Sequence, residues 1–436
     1  MYHRRSMLSR SSIICGTVAV LCPFLLRAAD PIIARYSGAA LHGGKFGYLA
    51  EVQSKLNQRP VECKPAPTLV ADGQFGPKLR DAIKRVASCP DVQNSLPPDS
   101  EARNGALTDA FWAILFPSRS KPSVYERAMA LVLTQEATDY DHAEWNFCQS
   151  RPLYNPPQGQ TTCYSNDPTS FLTWGPRGAT AGGGGEVQRI LYAVDSDPNM
   201  KAIVDDSFKS TSADVRRLVR LDAKEAGPFL CKIWINPQLR QQWKDGFALF
   251  GASPQVRLVY DAFYASSTSD GGKIAQFYRL YASAGIVPTE VDYGFMIDRA
   301  TQFSGPGANT IAAATAAMKS RGARTTPAEL RRWLALNFRP SNQRTDRLGR
   351  DVVFYIDALE ASGQSLTPEE RTAWIGRNPI RSNDAGLSDS VQLAEFHAPE
   401  FKYQPLPRGT EHLTDAERGA CPAAILKTFE PPAAHR

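Results

Sequence analysis

Apolar residues recur along this chain mostly at helical spacing. Val52 and Leu56, beside Gln53, mark one stripe, and Leu79, Ala82, Ile83 and Val86 mark a second. Between them, Asp72-Gly-Gln-Phe75-Gly-Pro77 carries the glycines that a tight turn feeding a helix requires. Residues 38–95 are therefore expected to form a small helical domain. Residues 96–121 are rich in Pro and Ser at both ends around the apolar run Leu107–Phe116, the pattern of a linker helix that docks one domain on the next. From Ser123 onward the spacing is helical almost throughout. Ser123 and Glu126 make a capping box, and Tyr125, Ala128, Met129 and Val132 fall on one face. Strand signals gather only around Phe171–Trp174, ahead of Gly175-Pro176, and the Gly182–Gly185 run leads into a helix start at Glu186. The pattern predicts a mainly α (α+β) fold. A helical domain over residues 122–340 carries a small β-hairpin, and a helical extension with a tail occupies 341–436.

The first 29 residues differ from the rest. Arg4, Arg5 and Arg10 precede an apolar stretch from Ile13 to Leu26 and the small pair Ala28-Ala29, the order of a secretory signal. The stretch is short for a bilayer span and contains Pro23, so a cleaved leader is expected and no stable membrane anchor. The whole chain of 436 residues is 42% hydrophobic and 22% charged, the balance of a folded globular protein with room for two domains. Its net charge of +6 falls to +2 without the four leader arginines, Arg27 included. No basic block remains, and nucleic acid is not an expected partner. Outside the leader stand Cys63, Cys89, Cys148, Cys163, Cys231 and Cys421. An even set in an exported chain favours disulfides, and proximity pairs Cys63 with Cys89 and Cys148 with Cys163, leaving Cys231 for Cys421. None has CxxC spacing, so no structural zinc is expected. A periplasmic or secreted workplace follows.

Candidate chemistry begins at Glu136. It lies eleven residues beyond Tyr125, three helical turns on, and so belongs to the same apolar face. A carboxyl partly desolvated there is expected to have a raised pKa, which suits a general acid near neutral pH. Asp167 stands in the turn context Asn166-Asp-Pro168, and Thr173 follows six residues later beside Phe171 and Trp174. Inverting glycosidases hold two carboxyl groups ~6.5–9.5 Å apart with a water between them. A hairpin facing a helix end offers that gap, with a threonine hydroxyl to hold the water. Asp141 is the rival second carboxylate, while Asp139 stands close to Glu136 for that role. Read as a metal cluster, Asp139, Asp141, His142 and Glu144 lack the glycine of a calcium loop and any HxxxH pair, so neither metal nor other cofactor is expected. Glu186 at a helix start fits a dipole interaction. The segment Tyr260-Asp261-Ala-Phe-Tyr264, with Asp292-Tyr293 and Asp298-Arg299, has rings beside polar groups that suit sugar faces, but its helical spacing favours a core role. No GxSxG elbow supports a serine hydrolase.

Two resemblances build on these residues. Gln53/Leu56, Asp72 to Pro77 and Ala82-Ile83 resemble the signature of the peptidoglycan-binding domain 1 family. That likeness implies a wall-binding module in which Asp72 and Phe75 of the turn contact the ligand. The layout Glu136 … Asp167-x3-Phe171-x-Thr173-x-Gly175 resembles the phage-type lysozyme superfamily, which includes the chitosanases; a cysteine-bracketed insert separates the first two. Residue by residue it implies Glu136 as the acid, Asp167 serving the water or the developing positive charge, and Thr173 positioning the water. Phe171 and Trp174 are the candidate sugar contacts. Gly178-Ala-Thr180-Ala-Gly182 resembles the GYTAG of chitosanases and offers a second frame. The expectation is an exported hydrolase that cleaves peptidoglycan glycan strands by inversion. The alternatives are a chitosanase-like hydrolase of a related amino-sugar polysaccharide, and a non-catalytic peptidoglycan-binding envelope protein.

Overall fold

The computed structural model describes residues 30–136, 138–147, 170–265, 270–302, 305–322, 325–339, 344–376, 379–395, 401 and 404–421. Asp167, Cys148 and Cys163 lie outside these residues. The protein is mainly helical: of the described residues 58% are in helices and 7% in strands. Among the described residues, no helix is long and apolar enough to cross a membrane.

The N-terminal part opens with β1 (Ile32–Ala34) and β2 (Leu41–His42), followed by α1 (Tyr48–Asn57), β3 (Gln74–Phe75), α2 (Pro77–Ala87) and the short α3 (Pro90–Gln93). β4 (Leu107–Thr108) returns to pair antiparallel with β1, β2 pairs with β3, and α4 (Asp109–Leu115) follows. α2 forms where expected because Pro77 sits at its first turn, Lys84 and Arg85 complement its C-terminal dipole, and the predicted stripe is buried. The Gln53 and Asp72 signature has a folding explanation. Gln53 is buried, donates to Asp72 Oδ1 (2.8 Å) and the Gln74 carbonyl (3.1 Å), and accepts from Gly73 N (2.8 Å). That one amide ties α1 to the turn. Gly73 has φ +73°, and a Cβ there would meet the Gly44 carbonyl oxygen at 2.0 Å, so only glycine fits.

α5 (Val124–Glu136) begins with the capping box complete: Glu126 N donates to Ser123 Oγ (3.2 Å) and Ser123 N to Glu126 Oε2 (2.8 Å). An antiparallel sheet of β5 (Ala143–Trp145), β6 (Ser170–Trp174) and β7 (Ala179–Gly182) follows, with β6 central. Next come α6 (Glu186–Asp195), α7 (Lys201–Phe208), α8 (Ser212–Arg220), α9 (Ala223–Ile235), α10 (Pro237–Ala252) and α11 (Pro254–Ala265). The chain continues through α12 (Asp270–Ser283), α13 (Glu290–Gln302), α14 (Ala308–Arg321), α15 (Pro327–Asn337), α16 (Arg344–Val352), α17 (Ile356–Ala361) and α18 (Pro368–Ile375), and reaches α19 (Asp415–Gly419).

Buried apolar side chains divide into two large groups. One joins the N-terminal part (Leu49, Val52, Phe75, Ile83, Phe111, Trp112) to α5, α12, α13, α15 and the residues after α16, including Leu131, Phe295, Leu330 and Phe354. Residues 38–95 thus share a core with later helices, and Phe111, Trp112 and Leu115 of the linker interval belong to that core. The second group packs the sheet against α6 to α11 through Trp145, Leu172, Trp174, Ile190, Trp243 and Tyr260. A small third group joins α15 to α18. The chain crosses from the first core to the second between Glu136 and Ala143.

Two of the expected disulfides are formed, Cys63–Cys89 and Cys231–Cys421. The second explains the segment before Cys421. Leu413 is buried in the second core, and hydrogen bonds from Arg217 hold the Glu417 carboxyl below the usual carboxylate range. Cys421 is thereby strapped over α9 from 190 residues away. Cys421→Ser is expected to lower unfolding free energy by about 2–4 kcal/mol, because opening a long loop restores entropy to the unfolded chain. Chemical denaturation with and without reductant checks this: the reductant should destabilise the parent more than the variant.

Candidate functional site

Glu136 ends α5 where the chain leaves the first core. The apolar setting expected for it is replaced by an ion pair. Its Oε1 accepts from Arg350 Nη1 of α16 (2.7 Å) and from Gln302 Nε2 at the end of α13 (3.2 Å), while the side chain stays 25% exposed. Arg350 also grips Asp298. Behind it, Arg347 contacts Asp298 and donates to Asp351 Oδ1 (2.6 Å), and Arg299 Nη2 donates to Asp351 Oδ2 (2.9 Å). Asp298, Arg299, Arg347 and Asp351 are buried. Burial alone would push the Asp298 carboxyl up, but the Arg347 and Arg350 guanidiniums outweigh it and hold it down to about 2. Among the described residues three carboxylates and three guanidiniums meet in this network, with Glu136 at its exposed end. Sequence reading missed Arg350 because it lies 214 residues from Glu136, a separation that no local motif bridges.

The three-stranded sheet alternates as a half-buried sheet should. Ala143, Trp145, Leu172, Trp174, Ala179 and Ala181 face the second core, and Glu144, Thr173 and Thr180 are half-buried on the other face, while Phe171, at a register shift between Ser170 and Leu172, packs half-buried against the second core. The register sets Glu144 opposite Thr173 and Thr173 opposite Thr180, so the three side chains form one row across the strands. Directly opposed Cβ atoms stand ~4.5–5.5 Å apart. Both threonine frames read from the sequence therefore converge on one patch. Glu144 is the carboxylate beside Thr173, and it contacts His142 Nε2 (2.9 Å). Glu186 at the start of α6 accepts from Thr180 N (2.9 Å) and Oγ1 (3.1 Å), tying the helix to β7. Gly175, with φ +82°, closes the β6 end. A Cβ there would meet the Tyr260 ring at 2.6 Å, a packing reason for the glycine of the threonine motif.

The turn between α5 and β5 is anchored on both sides. Asp139 Oδ2 accepts from Lys45 N (2.7 Å) and Oδ1 from Tyr140 N (2.7 Å), while burial raises its pKa. Asp141, the rival second carboxylate, pairs with the Lys45 ammonium. Tyr140 OH donates to Asp261 Oδ1 (2.5 Å), which Tyr125 OH also approaches (3.3 Å). Burial among these rings pushes Asp261 up to about 6. Tyr260 and Tyr264 are buried, as core residues. A folded-state pKa above the ordinary 3.8 adds stability that is fully present below 3.8 and lost as pH rises through about 6. Asp261→Asn should therefore flatten the melting-temperature profile across that window. A profile equally steep in the variant would show that another group controls it.

Several expected ligand contacts have structural roles instead. Phe75 is fully buried in the first core and presents no face to a ligand. Asp72 accepts from Gln53 and Gln74 N (2.9 Å) and organises its turn. Trp174 is 1% exposed, donates from Nε1 to the Tyr140 carbonyl (2.6 Å), and packs on Phe247, Phe250 and Tyr260. Phe171 sits at the register shift between Ser170 and Leu172, where regular alternation is interrupted, and its ring also packs against the second core. Phe171 stacks on Phe147 at 5.5 Å. Asp292 is buried and accepts from Tyr281, Thr289 and Arg331. Asp222, Glu225 and His412 bring ligand atoms within 4.8 Å of one another, but Glu225 already pairs with Arg418 (2.8 Å). No protein-family model, no curated protein and no solved structure matches this chain.

Proposed function

We propose that this protein is an exported cell-wall glycoside hydrolase that cleaves peptidoglycan glycan strands by inversion, with Glu136 as general acid. The observation that carries the reading is the placement of Glu136. A partly exposed carboxylate is fixed by a buried guanidinium at the crossing between two apolar cores, next in the chain to a sheet whose outer face carries Glu144 and Thr173. Junctions between packed units are where substrate clefts form. An acid fixed on a rigid helix, a threonine hydroxyl for the water and a second carboxylate are the parts that inversion needs. Formed disulfides support an oxidising workplace outside the cytoplasm.

In this reading Glu136 protonates the leaving oxygen from Oε2, its Oε1 being the atom that accepts from Arg350 and Gln302, and Thr173 holds the water on the opposite side of the sugar ring. Asp167, three residues ahead of β6, draws the water proton. Glu144 is a second claimant for that role, favoured by its register opposite Thr173. Asp167→Asn and Glu144→Gln separate them: the true partner loses about 10²-fold or more in turnover, and the other variant stays near the parent. Mass spectrometry of digested peptidoglycan tests the reaction itself. Reducing muramic ends are expected, anhydro ends would indicate a lytic transglycosylase, and walls bound without release would overturn the enzymatic reading.

A further inference from the structure

A groove of about 370 Å³ runs between α1 and α11, beside the turn that follows Glu136. Its volume lies in the range of small-ligand sites. Three cations line it, Lys45, Lys55 and Arg257, together with the half-exposed rings of Phe46 and Phe116 and one acid, Glu51. Glu51 is already engaged by Arg119. Arg257 is fixed by donating to the Ala252 carbonyl (2.6 Å), and its guanidinium lies 4.6 Å from the Phe46 ring centre. Lys45 joins the groove to the candidate site, since its amide binds Asp139 and its ammonium pairs with Asp141. Lys55, on the outer face of α1, is exposed and engages no carboxylate among the described residues.

We infer that this groove takes a carboxylate-bearing short peptide attached to the glycan that Glu136 cleaves, which rests on the hydrolase reading above. Cations over a shallow apolar floor suit a chain of small side chains ending in carboxylates, because the charges attract and the rings cover methyl groups. The same lining repels the ammonium groups of glucosamine, so the groove selects an acidic wall polymer over chitosan. A larger acidic groove of about 860 Å³, with Asp30, Glu101, Asp357 and Asp389 against Arg35, includes Val291 in its lining. That places it at the far end of α13, roughly 16 Å along the axis from the Gln302 that touches Glu136. The charge next to the candidate site is therefore the basic one.

The full chain is titrated by calorimetry with N-acetylmuramyl-L-alanyl-D-glutamate, which has no bond between sugars to cleave, and with the same compound amidated at both carboxylates. The acid is expected to bind roughly tenfold more tightly than the diamide, with the gap closing as salt rises. Lys55→Glu should weaken the acid about fivefold or more and leave the diamide unchanged, and the exposed position of Lys55 keeps the fold out of the comparison. Equal binding of acid and diamide, an unaffected Lys55→Glu variant, or no binding of either compound overturns the inference. The hydrolase reading is judged separately by the parent chain's reducing-end products. Their absence, with acid binding still dependent on Lys55, removes the hydrolysis and leaves the groove standing.

Discussion

Glu136→Gln is expected to lower turnover on purified cell walls by about 10²–10⁴-fold, the usual contribution of a positioned proton donor, with binding to the walls unchanged. The substitution is nearly isosteric, and an amide oxygen still accepts from Arg350 and Gln302 as the carboxylate Oε1 does. What it removes is the transferable proton. Arg350 is buried, but in the variant it keeps the Asp298 carboxylate and an amide oxygen as acceptors, so losing the ion pair should lower the melting point modestly and leave the chain folded. Turbidity clearing and a pelleting assay on the same preparation separate the two properties. Clearing at the parental rate would remove Glu136 from the chemistry. Pelleting by a parent that never clears would favour a non-catalytic wall-binding protein.

The second large effect is expected at Asp298→Leu. Asp298 joins Arg347 to Arg350, and through Arg350 it orients Glu136. Removing it leaves two guanidiniums facing an apolar side chain in the interior. Stranding buried charge in this way costs about 3–5 kcal/mol, which urea unfolding would read directly. Its pH dependence has a defined sign. Because the Asp298 carboxyl is held down to about 2 against an ordinary 3.8, its stabilisation is present above 3.8 and lost as pH falls through about 2. The variant should therefore lose stability at neutral pH and show a shallower acid limb. At pH 7 it should also clear walls more slowly than its folded fraction accounts for, since Arg350 is freed to move. A variant as stable as the parent would mean that the network is dispensable for the fold.

Local patterns were legible because their causes are local. The capping box of Ser123 and Glu126, the stripe of α2 and the turn pinned by Gln53 each join residues within about twenty positions, so spacing alone reveals them. The pairing of Cys63 with Cys89 follows from proximity along the chain, and that of Cys231 with Cys421 from what proximity leaves over. The exposed or buried side of each aromatic was not legible. Phe171 and Trp174 are three apart in one strand yet both pack against the second core, because the register shifts between Ser170 and Leu172. Likewise a ring in a turn has the same sequence signature whether it binds or packs, and Phe75 packs.

By itself, the sequence determined the helical class, the hairpin near Thr173, the formed disulfides and Glu136 as the end of an apolar helix. These follow from periodicity and composition, which act over one or two turns of chain. The tertiary structure alone decided that Glu136 is clamped by Arg350, that Glu144 stands opposite Thr173, and that the N-terminal residues share a core with α5 and α13. Each of these is a contact between segments whose approach is set by the burial of distant apolar faces. Electrostatics at a site depends on which charges that burial brings together, and a linear pattern carries no record of it.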